Sequence, residues 1–236
     1  MADLKQQLAW LNKGDALTMS ERQLEQRIET TIAHTFAWMW WVMFVSFALA
    51  YVLSLWIIDV PFSAPLYRWS WIAGLWIIFW MNRSWRKLSY WALAWLLLLF
   101  WLLEGYGLSG IFRAYDLGSI YNVFMSSTIL FAILAVVWYN VSINIARTWP
   151  ILFWSMIALI ISLLLNAFVF QSGMADMMLS VAGVVIFSWF VIYDMNILRK
   201  QAMWTDSRIE ILMALWLFIN FVNIFLFLLR LFGGQD

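Results

Sequence analysis

Residues 209–232 read IEILMALWLFINFVNIFLFLLRLF. At 1.5 Å per residue this stretch makes about 36 Å of helix, enough to cross a hydrocarbon core of roughly 30 Å. Past its first turn only Asn220, Asn223 and Arg230 interrupt the apolar run. With Phe227 they fall at i, i+3, i+7 and i+10, so they share one helix face. A polar face within an otherwise apolar span is expected to turn away from lipid. It serves either as hydrogen-bond glue between helices, worth about 0.6–2 kcal/mol per contact, or as a functional surface.

The rest of the chain agrees with a bilayer setting. Of 236 residues, 65% are apolar or aromatic and 11% charged, with 19 Trp, 19 Phe and 8 Tyr. A soluble domain carries about 25% charged residues, and a globule of this size could not hide so much apolar surface. A soluble enzyme is excluded on that ground. The chain has no Cys, which removes disulfides, thiol nucleophiles and Cys-ligated zinc, and its single His34 removes any multi-histidine metal site. A net charge of +1 gives no case for nucleic-acid binding.

Seven spans are read, at about 34–58, 62–82, 88–112, 119–140, 151–171, 177–198 and 209–232. The second is the weakest, with Arg68 near its start and Pro61 and Pro65 at its entry. Basic residues test the count, because Lys and Arg collect in cytoplasmic loops. Seven spans with the N-terminus inside put eleven Lys and Arg on the inner side and three (Arg68, Arg113 and Arg230) outside. Dropping the second span would give six against eight. The distribution favours seven, with the C-terminus outside.

Residues 1–33 read as a cytoplasmic amphipathic segment and residues 34–236 as the transmembrane domain. The first 30 residues are polar and of mixed charge, without the apolar core of a cleavable signal peptide. Ser20 to Gln23 reads as a capping box, and Leu24, Ile28 and Ile32 then share a face. The segment is either a solvated lead-in helix or a docking helix for a partner.

Ionisable groups inside spans are few, and such groups normally face a bundle interior or a water-filled cavity. Asp194 lies five residues before Arg199. It either snorkels to pair with Arg199 or Lys200, or guards a pathway and contacts a cation. Glu104, followed by Gly105, reads as an interfacial carboxylate near Arg113 at the outer end of the third span. No HExxH, GxSxG or P-loop motif occurs, and no span pairs a nucleophile with a base, so no catalytic residue is expected and the chain is not read as an enzyme.

Residues 187–194, FSWFVIYD, resemble the penultimate-helix motif of the Bax inhibitor-1 family, and residues 214–225, ALWLFINFVNIF, are similar to its last helix. Residues 228–233, LLRLFG, match the ending of that helix, and residues 104–112, EGYGLSGIF, resemble the third. The likeness extends over residues 34–233. It implies an all-α, polytopic seven-helix bundle with the last helix at the centre, in a bacterial inner membrane.

The resemblance further implies a passive calcium or cation leak, gated where two aspartates on the last two helices form a pH-sensing pair, with a latch arginine on the second helix. Asp194 falls on the first aspartate and is the expected calcium contact, a weak one. The second aspartate falls on Asn220 and the latch arginine on Asn82, with Arg83 adjacent. Two facing carboxylates share a proton and repel. An Asp–Asn pair has one titratable group and no such repulsion, so weakened pH sensing is expected. Asn223 belongs to the same pathway set, and Glu104 and Arg230 are secondary. Calcium would be the permeant ion, with no cofactor. The partners are the bilayer and calcium. The alternative function is a non-conducting regulator that binds a membrane protein such as a membrane protease.

Overall fold

The computed structural model describes residues 21–56, 65–140, 144–203 and 206–234. Ser20 and the side chain of Arg68 lie outside that set. The described elements are all helical: α1 Glu21–Trp56, α2 Pro65–Ser84, α3 Tyr90–Leu108, α4 Leu117–Asn140, α5 Ile145–Leu165, α6 Gly173–Ala202 and α7 Arg208–Phe232. A single helical turn, Ile111–Ala114, follows α3, and a π-turn, Asn166–Phe170, extends α5.

Local chemistry sets the ends. Ser89, Asn144 and Ser172 cap α3, α5 and α6, each side chain accepting from a backbone N–H three residues on. The α5–α6 connection turns at Gln171, whose φ of 47° lies in the left-handed region. Asn166 staples that turn: its Nδ2 donates to the Ser172 carbonyl and its Oδ1 accepts from the Ser172 N–H.

Six of these helices are long and apolar enough to cross a membrane by length and composition alone; α2 is not among them. Its path shows what it does. At the end of the bundle where α7 starts, His34 of α1 faces Glu210 at 3.4 Å. Further along α1, Tyr51 packs against Phe112 beyond the far end of α3, at 5.7 Å. The segment after α2 returns to the first end, where Arg208 Nη1 donates to the carbonyls of Arg86 and Leu88 at 2.9 and 3.0 Å. The 20 residues of α2, about 30 Å of helix, therefore run back along the bundle, packed chiefly on α3. Among the described residues there are seven long helices, and the second packs along its neighbour α3.

The end that gathers Arg83, Arg86, Lys87, Arg199, Lys200 and Arg208 is here called the basic end. The other end ties the remaining connections together. The Gly234 N–H donates to Ser119 Oγ, the Asp116 N–H donates to the Gly234 carbonyl, and Arg230 faces Asp176 at 3.8 Å.

The core is built around α7, which packs against α6, α1, α4 and α3. In its most apolar window 72% of residues are buried, against 17–50% in the other five candidate spans. Its burial is not confined to the polar stripe. Asn220 and Phe227 are buried, but so are Ile211, Leu215, Phe218, Val222 and Phe225 on other faces. Asn223 is half-buried and Arg230 is exposed. A helix enclosed by neighbours has no single inward face. Phe124, Phe131 and Phe221 meet edge to face across the α4–α7 contact, with Phe225 against Phe124. At Gly183 α6 lies close on α7, and an added Cβ would lie 2.5 Å from the Phe227 ring.

The lead-in segment is not separate from the first span. α1 runs unbroken through residue 33, and Leu24 and Ile28 are buried against Ala202 at the end of α6, with Ile32 and Met203 packed alongside. The apolar face read from sequence is occupied by the chain itself.

Candidate functional site

The last two turns of α6 and the middle of α7 hold the polar pair. Phe190 to Asn196 form a continuous buried run on α6, because α7 covers one side and other helices the rest. Asp194 sits within it, 7% exposed, and Asn220 on α7 is 3% exposed. The Asn220 Nδ2 donates to Asp194 Oδ2 at 2.6 Å. At this length the contact is a short, direct hydrogen bond from an amide to a carboxyl group. Counted along straight helices, Asn220 lies about 18 Å from the start of α7 and Asp194 about 12 Å from the end of α6. Their contact requires the two helices to be offset or tilted by about that difference.

This geometry settles the placement of Asp194. The side chain is enclosed and engaged by Asn220, so it does not snorkel to the boundary to pair with Arg199 or Lys200. Next to it Tyr193 is also buried, and its ring lies on Trp149 of α5 at 5.7 Å. The pair thus sits toward the basic end.

Other expected site residues do not join it. Asn223 Nδ2 donates to the Ile219 carbonyl one turn back on its own helix, and Asn196 Nδ2 does the same to Ile192. Asn82 and Arg83 are exposed in the last turn of α2, a helix that packs on α3. Neither makes a hydrogen bond or ion pair among the described residues. Glu104 is not paired with Arg113. It lies on the α3 face that buries Leu97, Trp101 and Leu108, with Gly105 pressed against Ser46 and Leu49 of α1. Arg230 has two partners at the far end, Asp176 and the Phe227 ring, whose centroid is 5.8 Å from the guanidinium.

The structure adds contacts that sequence reasoning missed. His34 Nδ1 faces Glu210 Oε2 at 3.4 Å. Arg208 holds Asp206 through Nε and Nη2, at 2.8 and 2.7 Å, while reaching the α2–α3 connection. Those donors hold the Asp206 carboxyl below the usual carboxylate range. The signal for His34 was its being the single histidine of the chain, placed at a span boundary. For the reach of Arg208 to the α2–α3 connection there was none, since those partners are backbone carbonyls.

No group of three or more His, Cys, Asp or Glu side chains suited to a metal exists among the described residues. Asp194 offers one carboxylate and Asn220 one amide oxygen. Calcium takes six to eight oxygens, so the pair can contact a passing hydrated cation but cannot enclose one.

Comparison with known proteins places this geometry in context. The sequence profile of the family described as inhibitor of apoptosis-promoting Bax1 matches residues 28–236. A membrane protein of Streptococcus pyogenes serotype M1 is 28% identical over 198 residues, covering 82% of this chain and 86% of its own. The inner membrane protein YbhL of Escherichia coli K12 is 29% identical over 171 residues, covering 70% and 73%. A Borreliella burgdorferi protein is 33% identical over 146 residues, 59% of this chain and 62% of its own.

Proposed function

Because the chain belongs to the family of inhibitor of apoptosis-promoting Bax1, a family of membrane proteins, we propose that it is a passive cation leak, with calcium the permeant ion, controlled where Asp194 meets Asn220. The observation that carries the reading is the buried 2.6 Å contact between a carboxyl group on α6 and an amide on the central helix α7. An acid in the hydrocarbon region is costly and is kept where it serves a pathway. Here its hydrogen bond closes the gap between α6 and α7, so opening requires that bond to break or the helices to part.

One acid, rather than two, titrates at this position. The like-charge repulsion that drives a carboxylate pair through its pH response is missing, so sensing at this pair is weak. The protein lies in the bacterial inner membrane with its basic end toward the cytoplasm, in keeping with the collection of Lys and Arg in cytoplasmic loops. The activity is transport rather than catalysis.

The test is calcium entry into liposomes that contain the purified protein and an indicator dye. A leak above empty vesicles, with no other protein present, supports the reading. No leak, together with recovery of a stoichiometric membrane partner from native membranes, would move the assignment to a non-conducting regulator. The buried apolar face of the lead-in helix speaks against docking through Leu24 and Ile28.

A further inference from the structure

The first half of α1 clasps the α6–α7 hairpin at its turn, on both sides of the connection. Leu24 and Ile28 pack on Ala202 at the end of α6, and two turns later His34 meets Glu210 in the first turn of α7. The two helices that leave that turn carry Asp194 and Asn220 farther along. The two contacts differ in kind. The first is apolar and insensitive to pH. The second pairs the chain's single histidine with a carboxylate.

The pair is also asymmetric in exposure. The His34 side chain is 58% exposed and that of Glu210 11%. Together they line a cavity of about 410 Å³ with Ala37, Trp38, Trp41 and Tyr90. Trp38 Nε1 donates to Tyr90 Oη at 3.0 Å, which fixes the wall behind the imidazole. The imidazole is thus the open member of the pair, while the carboxylate it faces is held on the central helix.

We propose that His34 and Glu210 form a proton-binding latch that docks the lead-in half of α1 onto α7, separate from the Asp194–Asn220 pair. Imidazole is the side chain whose charge changes between pH 5 and 8. Below that change the imidazolium is attracted to the Glu210 carboxylate and α1 is clasped. As pH rises the attraction is lost and the clasp relies on the apolar contact alone. Other titratable groups do not take this role. Tyr90 is the one presented by α3, α6 brings Arg199 and Lys200 in its last turn, and Arg208 near the start of α7 is engaged by Asp206. On α1 itself Arg27 lies two turns back on the same face. None of these cations is a carboxylate partner for an imidazolium, which leaves Glu210 as the group that answers it.

A half-exposed ion pair changes an equilibrium by about twofold to fivefold. That is the size of the effect on docking. The docking does not rest on the permeation reading above.

The test uses the full chain in lipid nanodiscs. The absence of Cys allows spin labels at Gln26→Cys and Ser207→Cys without background, and the presence of one His allows its protonation to be followed by ring-¹⁵N NMR. The expected result is a label separation that widens as the His34 signal deprotonates, with the docked fraction falling about twofold to fivefold. In both His34→Gln and Glu210→Gln the separation should no longer depend on pH. A separation unchanged across the histidine titration, or an unaltered pH response in either variant, would overturn the latch. A pH-dependent separation with no calcium flux at any pH would support the latch and overturn the permeation reading instead.

Discussion

Replacing Asn220 by Leu removes the amide that meets Asp194 at 2.6 Å, with little change in volume. What remains is a carboxylate 7% exposed, without its donor. A neutral hydrogen bond between membrane helices averages about 0.6 kcal/mol and reaches about 1.7 kcal/mol. A bond to a charged group contributes about 1.5–3 kcal/mol, and stranding a buried group adds its desolvation cost. Asn220→Leu is therefore expected to cost about 2–4 kcal/mol. Asp194→Asn should cost far less, about 1 kcal/mol or under, because an amide oxygen still accepts from Asn220. The double variant Asp194→Asn with Asn220→Leu should lie between, since the group left behind is then neutral. The assay is reversible denaturation in mixed micelles, monitored by far-ultraviolet circular dichroism, with the four species as a double-mutant cycle. Costs for Asn220→Leu and Asp194→Asn that are equal and additive would refute the reasoning, because they would mean that the carboxylate carries no charge into this contact or does not make it.

Gly183→Ala places a methyl 2.5 Å from the buried Phe227 ring, and overpacking of that kind costs about 1–3 kcal/mol; Phe227→Leu in the same chain should restore stability in the same denaturation assay. Gln171→Gly relieves a left-handed residue at the α5–α6 turn and is expected to stabilise by roughly 0.5–1 kcal/mol, read as a higher denaturation midpoint. The lowered Asp206 titration stabilises the fold wherever the carboxylate is ionised in both states, above about pH 4, and that contribution is lost as pH falls through the depressed value. Wild type should therefore exceed Asp206→Asn in melting temperature at pH 6, and the two should converge near pH 2.

Much of this architecture is legible in the residues because a bilayer limits the choices. Apolar length marks the helices, and the eleven-to-three split of basic residues called for a second crossing that hydropathy alone does not secure. The return path of α2 along α3 answers that split. The Asp194–Asn220 contact was legible from the aligned family motifs, although straight-helix counting put the two at different depths. Sequence cannot supply the offset of one helix along another. The polar stripe on α7 misled for the same reason: a central helix is buried on every side, so its polar residues mark no preferred face. Glu104 illustrates a different limit. It was expected to be interfacial near Arg113, yet it lies on the α3 face that buries Leu97, Trp101 and Leu108. The His34–Glu210 contact joins residues 176 positions apart and could not be read from either neighbourhood.

The central claim is that cation passage is controlled at Asp194. The direct measurement is the initial rate of calcium entry into proteoliposomes at fixed pH, compared between wild type and Asp194→Ala at matched protein incorporation. A rate in the variant that differs severalfold from wild type, with both above protein-free vesicles, is the expected result. Equal rates, or a wild-type rate no higher than that of protein-free vesicles, would contradict the account.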